Sequence, residues 1–487
     1  MKSLQKIWLS LFFIMTVSYS QFTEDALRYS QRGDGVGARA MGMGNAYIGV
    51  SDDYSAAVWN PAGLAQLRRL EFTGGISNYG LTNDASYLGT KTSDNTAATS
   101  LDNLGFVFPF PTERGSLVFA VGYNRLVNYA SVVSFNGFNS QSSIIPTLYD
   151  SDVRYDVPFN TNLTNNYGYT AIQGNVNQSG TLKESGRLGQ WSFSGAIDVE
   201  ENISIGISLN VLNGSYNSTR NYLEADTKNM FNNASANLPI DSAYLRFNKF
   251  YYDSFLHSDL SGGGVTFGAM YRSDVFRVGL IAKSPTSITI KETYSYAGQS
   301  VFDNAGTWQP YYDSSASRWI TSPYTQHSTP ETPNEYGISS PWTLGGGFSW
   351  YVVPQLLLAV DIEHTDWTQI EWKDNADLEK GNIDLQKNFR AVTSYRVGAE
   401  FDIPKTDVRV RGGYSMTPSP YKNDPSSYGH TLITGGAGIL LQRNVVLDAA
   451  VAFGSFKSFQ YQYSGNTSRT DESKSTTQVN VTLGYRF

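Results

Sequence analysis

Apolar and polar residues alternate with a period of two along most of the chain from Leu70 onward. One face of each segment carries Ile, Val, Leu, Phe, Trp or Tyr, and the opposite face carries mostly Ser, Asn, Gly, Asp or Arg. This period predicts β-strands with one apolar face. The clearest examples are pairs of segments joined by tight turns: Trp191–Val199 with Ile203–Val211, Val265–Tyr271 with Phe276–Ala282, Trp342–Trp350 with Leu356–Ile362, Tyr395–Phe401 with Val408–Tyr414, and Leu440 with Val445–Phe453.

The connections between these segments alternate between short and long. The long ones are rich in polar, aromatic and glycine residues: Gly137–Arg187, Ser215–Ser258, Thr293–Pro341, Asp366–Asn388, Thr417–Gly429 and Ser458–Lys474. Short turns at one end and long loops at the other are typical of outer-membrane barrels. We therefore predict an all-β fold, a transmembrane antiparallel β-barrel of about fourteen strands. A secreted β-sandwich or propeller would also alternate, but it would not require this order of connections or an apolar strand ending at Phe487.

The first twenty residues are predicted to be a cleaved signal peptide. Lys2 and Lys6 precede an apolar core from Ile7 to Val17, and Ser18-Tyr19-Ser20 supplies small residues at the cleavage site. The apolar core is too short to span a bilayer as a helix. We therefore expect an exported protein located in the bacterial outer membrane.

Composition excludes several classes of function. The 487 residues include no cysteine, which excludes thiol catalysis, zinc–thiolate sites and disulfides. A formal net charge of −7 argues against a nucleic-acid partner. No Gly-x-Ser-x-Gly elbow is present at a strand-to-helix turn, and Gly33, Gly35 and Gly37 lack the strand that precedes a dinucleotide site. We therefore expect no enzyme and no cofactor. We also expect no metal site, because the four histidines lack metal-ligand spacing. They are His257, His327, His364 and His430.

The stretch Val36–Leu67 differs from the rest of the chain because it combines small residues, closely spaced glycines and a short helical segment. Asp52 or Asp53 can cap that helix, since a carboxylate accepts hydrogen bonds from the free amides of the first turn. Pro61 disfavours the helical conformation of the residue before it and so ends the helix. The glycines allow close packing and positive φ. Such a segment suits a compact insert inside a barrel, although an ordinary helix–turn of a globular domain would look similar.

Four motifs occur in an order that resembles the FadL/TodX (OMPP1) family of outer-membrane hydrophobic-compound transporters. The first is the family's N-terminal hatch, with Gly44-Asn45-Ala46-Tyr47, an acidic pair after Ser51, and Trp59-Asn60-Pro61-Ala62-Gly63. The other three resemble strand segments of the family: Phe276–Pro285, Pro341–Ile370 and Tyr395–Pro420. The resemblance implies a barrel plugged by its own N-terminal hatch with short helices. The expected regions are a signal peptide at 1–20, the hatch at 21–68 and the barrel at 69–487.

The resemblance also implies a function. Members of this family move long-chain fatty acids or aromatic hydrocarbons passively, catching them between extracellular loops and passing them beside the hatch. The hatch motif residues are Asp52, Asp53, Asn60, Pro61, Ala62 and Gly63. By position, two aromatic-rich loops would form the capture groove: Phe247, Phe250, Tyr251, Tyr252, Phe255, Tyr294, Tyr296 and Trp308. An alternative is that these aromatic residues only pack the loops together, and the segment Ser215–Ser258 is long enough for two short helices.

Two further expectations concern the lumen. One acid of the hatch should pair with an arginine or lysine that faces inward from the wall, because a buried carboxylate needs such a partner. An inward kink, which in this family opens the wall sideways, is expected near Gly122–Asn128, where Asn124 and Arg125 interrupt the apolar pattern of the third strand.

The expected partners follow from this interpretation. They are a hydrophobic small-molecule ligand, outer-membrane lipid and lipopolysaccharide, and the barrel-assembly machinery during biogenesis. A closed barrel leaves no free edges, so a monomer is expected. The same fold also serves as a protein-binding shuttle subunit in type IX secretion, and this remains the alternative function. A transporter predicts a lateral gap, whereas a shuttle predicts a large external binding surface and no continuous path.

Overall fold

The computed structural model describes residues 20–31, 33, 35–148, 157–164, 168–231, 246–303, 311–313, 318–320, 324–442, 444–464 and 466–487. The predicted signal peptide at 1–20 therefore lies outside the described residues, apart from Ser20. Most described residues belong to β-strands, and the remainder form short helices, turns and loops.

Fourteen antiparallel strands form one closed barrel, as predicted. The third, seventh and eighth strands are each divided into consecutive segments. In chain order the strands are Glu71–Tyr87; Thr90–Phe110; Leu117–Asn128 with Ser131–Asn139; Val176–Glu200; Ile203–Ala225; Phe247–Arg272; Phe276–Lys283 with Ser287–Phe302; Tyr324–Ser328 with Thr332–Ser339 and Thr343–Val353; Leu356–Asp366; Ala391–Asp402; Val408–Thr417; His430–Leu441; Val445–Tyr461; and Arg469–Arg486. Short strands Tyr311–Asp313, Arg318–Ile320 and Glu371–Lys373 lie in the connections.

The first and last strands close the barrel. Glu71 lies opposite Arg486 at one end of this pair, and Tyr87 lies opposite Thr470 at the other. The final N–H, from Phe487, donates to the carbonyl of Leu70 at 2.9 Å. Closure satisfies the backbone groups of the wall internally, which allows β-strands to cross a lipid layer.

The two faces of the wall have opposite chemistry. On the fifth strand, the outward side chains are exposed and apolar, whereas Ser204, Ser208 and Asn210 are buried on the inner face. The outward set on this strand is Ile203, Ile205, Ile207, Leu209 and Val211. An apolar exterior with a polar interior is the arrangement of a barrel in lipid, and it explains why the two-residue period was visible in the sequence.

The strands continue well into segments that were predicted to be loops. The fifth strand extends to Ala225 and the sixth begins at Phe247, so a paired ribbon occupies much of Ser215–Ser258. The prediction of a loop over this whole range is wrong, because ribbon residues beyond the apolar belt have no continuous apolar face. No helix occurs in the described residues of this segment, and residues 232–245 lie outside the described set.

Helices are short and lie mainly in the hatch and the connections. The α-helices are Ser20–Ser30, Ala38–Gly42, Ala56–Trp59, residues 157–160, Ala376–Glu379 and Asn382–Asn388; the 3₁₀ helices are Pro61–Gln66, Ile145–Leu148, Trp367–Gln369, Ser426–Tyr428 and Asn466–Ser468. Among the described helices, none is long and apolar enough to cross a membrane.

Two apolar clusters fill the lumen above the hatch core (Val36–Leu67). We call the one next to the hatch core the luminal cluster: Ala26, Leu27, Tyr29, Leu126, Tyr129, Leu188, Leu212, Tyr216, Leu260, Ile288, Ile290, Tyr336, Ile338, Ile370, Trp372, Leu385 and Phe389. The other lies at the long-loop end and is called the mouth cluster: Tyr87, Phe135, Ile144, Ile145, Leu148, Val157, Leu163, Ile172, Val176, Tyr222, Phe247, Phe250, Tyr252, Phe302 and Tyr463.

Candidate functional site: the hatch and the lumen

The Asn-Pro-Ala-Gly turn of the hatch joins two short helices. The first helix ends at Trp59, and Asn60 takes an extended conformation with φ −152° and ψ 102°. Pro61 then occupies the first position of a 3₁₀ helix, where its missing N–H costs no hydrogen bond. The Asn60 side chain accepts a hydrogen bond from the Ala62 N–H at 3.2 Å and so caps this second helix.

The same turn contacts the barrel wall directly. The Asn60 amide Nδ2 donates to the Ile48 carbonyl at 3.1 Å and to the Ala269 carbonyl of the sixth strand at 3.2 Å. The Ala62 carbonyl accepts a hydrogen bond from Ser204 Oγ of the fifth strand at 3.0 Å. The turn therefore links the hatch to two neighbouring strands as well as ending a helix.

The two acids of the hatch have different roles. Asp53 accepts hydrogen bonds from the Ser55 N–H at 2.8 Å and from the Tyr47 hydroxyl at 2.7 Å, so it stabilises the turn before the Ala56–Trp59 helix. Asp52 instead forms ion pairs with Arg39 of the hatch and with Arg277 of the seventh strand, the latter at 3.2 Å. The wall cation that the sequence left unidentified is therefore Arg277.

Burial and charge act differently on these two carboxyl groups. Burial raises the pKa of Asp53 above its usual range, and Arg39 opposes this effect only in part. Burial also acts to raise the pKa of Asp52, but Arg39 and Arg277 outweigh it and hold the pKa well below the usual range. Arg39 and Arg277 therefore stabilise the charged form of Asp52.

Arg39 begins a chain of charges that runs from the hatch into the wall. Its guanidinium donates to both oxygens of Glu400, at 2.8 and 2.9 Å, in a bidentate pair. Glu400 also accepts from Arg411 at 2.6 Å, and Arg411 contacts Asp448 at 2.6 Å. These side chains are almost completely buried, so removing one partner would leave a buried charge unpaired.

Wall side chains also bind the main chain of the hatch. Asp361 of the ninth strand accepts from the N–H groups of Tyr47 and Ile48 at 2.6 and 2.7 Å. Asp102 of the second strand accepts from the Gly37 N–H at 3.3 Å. Further contacts of this kind are Ser208 to Ala57, Ser349 to Gly49, Thr434 to Gly42 and Gly44, and Thr482 to Ala38. The hatch core is therefore fastened on all sides of the barrel.

Glycines of the wall make this close approach possible. At each of nine inward positions, an added Cβ would come within about 3 Å of atoms at the hatch contact, and in most cases these belong to the hatch itself. The hatch glycines matter for another reason, since Gly35, Gly37 and Gly44 have φ of 96°, 90° and 63°, as expected. The nine wall positions are Gly105, Gly122, Gly206, Gly268, Gly279, Gly347, Gly398, Gly413 and Gly436.

The helix Ser20–Ser30 lies inside the lumen, between the hatch core and the mouth. Its Tyr29 packs in the luminal cluster, and the Tyr29 hydroxyl lies 3.1 Å from Ser258 Oγ of the sixth strand. Its Arg28 pairs with Asp25 on the same helix and lies 3.6 Å from Glu184 of the wall. No pattern in the sequence indicated that this segment is helical.

The aromatic residues proposed for a capture groove divide into two faces. Phe247, Phe250 and Tyr252 are buried in the mouth cluster, and Tyr296 packs against it. Tyr294 is partly buried and its ring contacts that of Tyr296 at 5.8 Å. Alternation along the sixth strand places the remaining pair, Tyr251 and Phe255, on the outer face, where they are 38% and 44% exposed. Trp308 lies outside the described residues.

The third strand is irregular where a kink was expected. Its pairing with the fourth strand shifts by one residue between Arg125 and Val127, and the strand is interrupted between Asn128 and Ser131. Its ladder with the second strand ends at the pair Asn103–Asn124. Beyond this point the hydrogen bonds between the described residues of the two strands use side chains: Arg125 to Asp102, Ser134 to Asp94 and Thr92 to Ser134.

Residues of the hatch and of the wall form specific contacts beside this break. Asn124 Nδ2 donates to the Tyr54 hydroxyl of the hatch at 3.1 Å, and Arg125 contacts Asp102 at 3.3 Å. Gly33 lies against the Leu126 carbonyl, so closely that a Cβ there would overlap it. The break in the wall therefore lies beside the hatch and beneath the luminal helix.

A polar cavity lies on another side of the hatch, next to the first and last strands. Seven of the nineteen residues that line it are charged, among them Arg39, Asp53, Glu71, Arg411 and Arg486. These charged groups favour water or ions over an apolar ligand at their side of the cavity.

Comparison with known proteins agrees with this architecture. Among solved structures, the toluene transporter TodX of Pseudomonas putida is 14% identical, with a TM-score of 0.56 over 93% of this chain and 99% of that chain. A FadL homologue of Pseudomonas aeruginosa is 13% identical, with a TM-score of 0.55 over 93% and 98% of the two chains. At these identities the likeness establishes a shared fold. No curated protein matches the sequence.

A family model gives the more specific result. The model described as outer membrane protein transport protein (OMPP1/FadL/TodX) matches residues 34–486, which is nearly the whole chain after the luminal helix. The chain therefore belongs to the OMPP1/FadL/TodX family of outer-membrane transport proteins.

Proposed function

We propose that this protein is a passive channel for hydrophobic small molecules, either long-chain fatty acids or aromatic hydrocarbons. The observation that carries the proposal is the end of the ladder between the second and third strands at Asn103–Asn124. A closed wall would confine an apolar ligand to the lumen, whereas a break in the ladder offers a way into the hydrocarbon layer. Movement along this route needs no energy source, because the ligand is more stable in lipid than in water.

The hatch core, in this proposal, directs the ligand sideways and does not itself open. Support comes from its many contacts with the wall. They include the bidentate pair between Arg39 and Glu400 and the two hydrogen bonds that Asp361 accepts from backbone N–H groups of the hatch. The hatch motif residues then have a seating role: Asp52 links Arg39 to Arg277 of the wall, Asp53 stabilises the turn before the Ala56–Trp59 helix, and Asn60, Pro61, Ala62 and Gly63 hold the next turn against the wall.

Capture of the ligand is assigned to the inward aromatic residues at the mouth. Phe247, Phe250, Tyr252, Tyr294 and Tyr296 lie at or beside the mouth cluster, at the long-loop end of the barrel. Tyr251 and Phe255 leave this proposed set because they point away from the lumen. The mouth cluster is closely packed, so capture requires its side chains to separate locally.

A protein-binding role in type IX secretion remains the second candidate. The break in the wall favours the transporter, since a shuttle subunit has no need of a route from the lumen into lipid. Uptake measurements separate the two functions directly.

The test compares uptake of labelled oleate and labelled toluene by cells with and without this protein. A Pro61→Gly variant tests the hatch turn, and Pro404→Gly, in an exposed turn between the tenth and eleventh strands, is the matched control. We expect uptake that depends on the protein, changes in Pro61→Gly and is unaffected in Pro404→Gly. Absence of uptake for both compounds would contradict the proposal and favour a search for a secreted protein partner.

A further inference from the structure

The outer face of the wall carries a group of aromatic rings beyond the apolar belt. We call it, with a neighbouring arginine, the outer aromatic patch: Tyr428, Phe459, Tyr461 and Arg469. Phe459 and Tyr461 lie on the thirteenth strand, in the same outward row as Phe453 of the belt. Tyr428 ends the short 3₁₀ helix before the twelfth strand. The ring of Phe459 lies 6.3 Å from that of Tyr428 and 5.7 Å from that of Tyr461.

Arg469 of the fourteenth strand joins these rings to an acid. Its guanidinium lies 4.1 Å from the centre of the Phe459 ring, donates to the Tyr428 hydroxyl at 3.3 Å and pairs with Asp471 at 2.6 Å. The side chains of Arg469 and Asp471 are nevertheless 40% and 57% exposed. A guanidinium and a carboxylate beside aromatic rings offer donors, acceptors and a flat apolar surface together. This combination suits a sugar, which has hydroxyl groups around its edge and C–H groups on its faces.

The height of the patch limits what can cover it. Phe459 lies three outward positions beyond Phe453, which is about 20 Å along the strand. Because barrel strands are tilted, this corresponds to about 15 Å above the edge of the hydrocarbon layer. The polar layer of a phospholipid bilayer is only about 5–8 Å deep on each side. A phospholipid headgroup therefore ends below the patch, whereas the oligosaccharide of a glycolipid in the outer leaflet reaches it.

The surface around the patch is also suited to a saccharide. Lys457 is exposed between Phe453 and Phe459, at the height of the lipid headgroups. On the exposed face of the first two strands, which adjoin the fourteenth, Asn78 donates to Thr99 at 2.7 Å and Thr82 to Asn95 at 2.7 Å. Amides, hydroxyls and a cation bind hydroxyl and phosphate groups, whereas the centre of a protein–protein interface is typically apolar.

We propose that the outer aromatic patch binds the core oligosaccharide of lipopolysaccharide, the glycolipid of the outer leaflet. A sugar ring stacks on Tyr461, its hydroxyl groups bond to Arg469 and Asp471, and Lys457 lies near the phosphate groups of lipid A. The inference goes beyond the proposed function, because it concerns the outer face of the wall and does not depend on what the lumen transports. The site would hold one glycolipid beside the last hairpin of the barrel.

A purely structural role of the patch would be to fasten the loop before the twelfth strand to this hairpin, through the bond between Arg469 and Tyr428. The two roles make different predictions. Loss of a fastening would lower the melting temperature and would not depend on the length of the saccharide. Loss of a sugar contact would weaken binding only of glycolipids that carry the core.

The test measures the dissociation constants of two glycolipids for the purified full-length protein in detergent. One is lipopolysaccharide with a complete core, and the other is lipid A, which has the phosphate groups and acyl chains without the core. The variants are Arg469→Gln and Tyr461→Ala. Arg187→Gln is the matched control, because Arg187 is an exposed cation on the outer face of the fourth strand, opposite Ser215 and away from these rings.

We expect each patch variant to weaken binding of lipopolysaccharide by about tenfold, the value of one good charged contact, and to leave lipid A within about twofold. Arg187→Gln should bind both glycolipids as the unmodified protein does. The melting temperature of each variant, measured without glycolipid, reports the structural role separately.

Four outcomes would overturn the inference. Lack of lipopolysaccharide binding by the unmodified protein, or unchanged binding in both patch variants, excludes a saccharide site. An equal loss for lipopolysaccharide and lipid A shows that the core is not recognised. An equal loss in Arg187→Gln assigns the effect to general attraction between cations and phosphate. An oligomer of the unmodified protein that dissociates in the patch variants, with lipopolysaccharide binding unchanged, would assign the patch to a contact between two copies.

Discussion

Replacing Gly413 by alanine tests whether the hatch core is held against the wall by close backbone contact. Gly413 lies on the inner face of the eleventh strand. An added Cβ would lie 2.6 Å from Gly44 Cα and closer still to Gly44 N and Met43 C. These are backbone atoms of a tight turn, in which Gly44 has φ 63°, so no side-chain rotation relieves the overlap.

The cost of this overlap can be estimated. Unstrained carbon contacts lie at about 3.5–4.0 Å, so the hatch turn or the strand must move by about 1 Å. Overpacking usually costs about 1–3 kcal/mol, and the upper end applies here because only backbone can move. A loss of about 3 kcal/mol would raise the fraction of barrels with a displaced hatch by about 100-fold. Gly412 is the matched control, since its added Cβ would have its nearest neighbour, the Thr434 carbonyl oxygen, 3.9 Å away.

Conductance in planar bilayers is the direct assay, because a displaced hatch opens the lumen to ions. We expect frequent openings in Gly413→Ala and the conductance of the unmodified protein in Gly412→Ala. The melting temperature of each purified barrel shows whether either substitution damages the wall itself. Equal behaviour of the two variants, in conductance and in melting, would refute the view that wall glycines seat the hatch.

Three further predictions concern the contacts above and beside this turn. Asp361→Asn removes the charge that two hatch amides share, so it should destabilise the hatch by about 1–3 kcal/mol, measured as faster hydrogen exchange of those amides with the barrel intact. Burial raises the pKa of Glu24 from 4.5 to about 7, against Arg28, which lowers it. Glu24 therefore keeps its proton while the Ser20–Ser30 helix is docked in the lumen and releases it when the helix is free. Docking of this helix should weaken as pH rises from about 4.5 to 7, by on the order of 3 kcal/mol at most. Hydrogen exchange of the helix at pH 5 and pH 8 measures this, and Glu24→Gln should remove the difference. Deleting residues 22–31 should raise toluene uptake, and unchanged uptake would show that the luminal helix does not obstruct the path.

The barrel could be predicted from the sequence because its signal is local. Lipid outside and polar groups inside impose a two-residue period on every strand that crosses the membrane, as on Ile203–Val211. The ribbons beyond the membrane lack this constraint on both faces, so the extension of the fifth strand to Ala225 could not be anticipated. The helix Ser20–Ser30 was not predicted for a related reason. Its apolar side chains pack against strands that are distant in the sequence, and no local pattern indicates those strands.

Part of the site was also predictable from the sequence. The predictable contacts join residues that are close in the chain, and the others join residues that are far apart in it. The N-cap of the Ala56–Trp59 helix is Ser55, without a side-chain capping bond, so the prediction that Asp52 or Asp53 caps it is wrong; Asp53 instead holds the turn before it. That turn and the helix end before Pro61 depend on neighbours within a few residues. The pairing of Asp52 with Arg277 joins groups more than two hundred residues apart. Their spacing in the sequence does not indicate this contact. The sequence therefore predicts that a buried acid needs a cationic partner, but it does not identify that partner.

The nine wall glycines are a feature of the sequence that reflects contacts between distant parts of the chain. All nine lie at inward positions, within six residues of the strand end at a short turn. Taken one strand at a time, such a glycine resembles any other small residue. Once alternation assigns an inward face and the short turns fix the height, the nine positions form a ring at one level of the barrel. A ring without side chains requires something else to fill that level, and the hatch core is the segment that does so. The same alternation that predicts the wall can therefore locate the depth at which a plug meets it, before any contact is known.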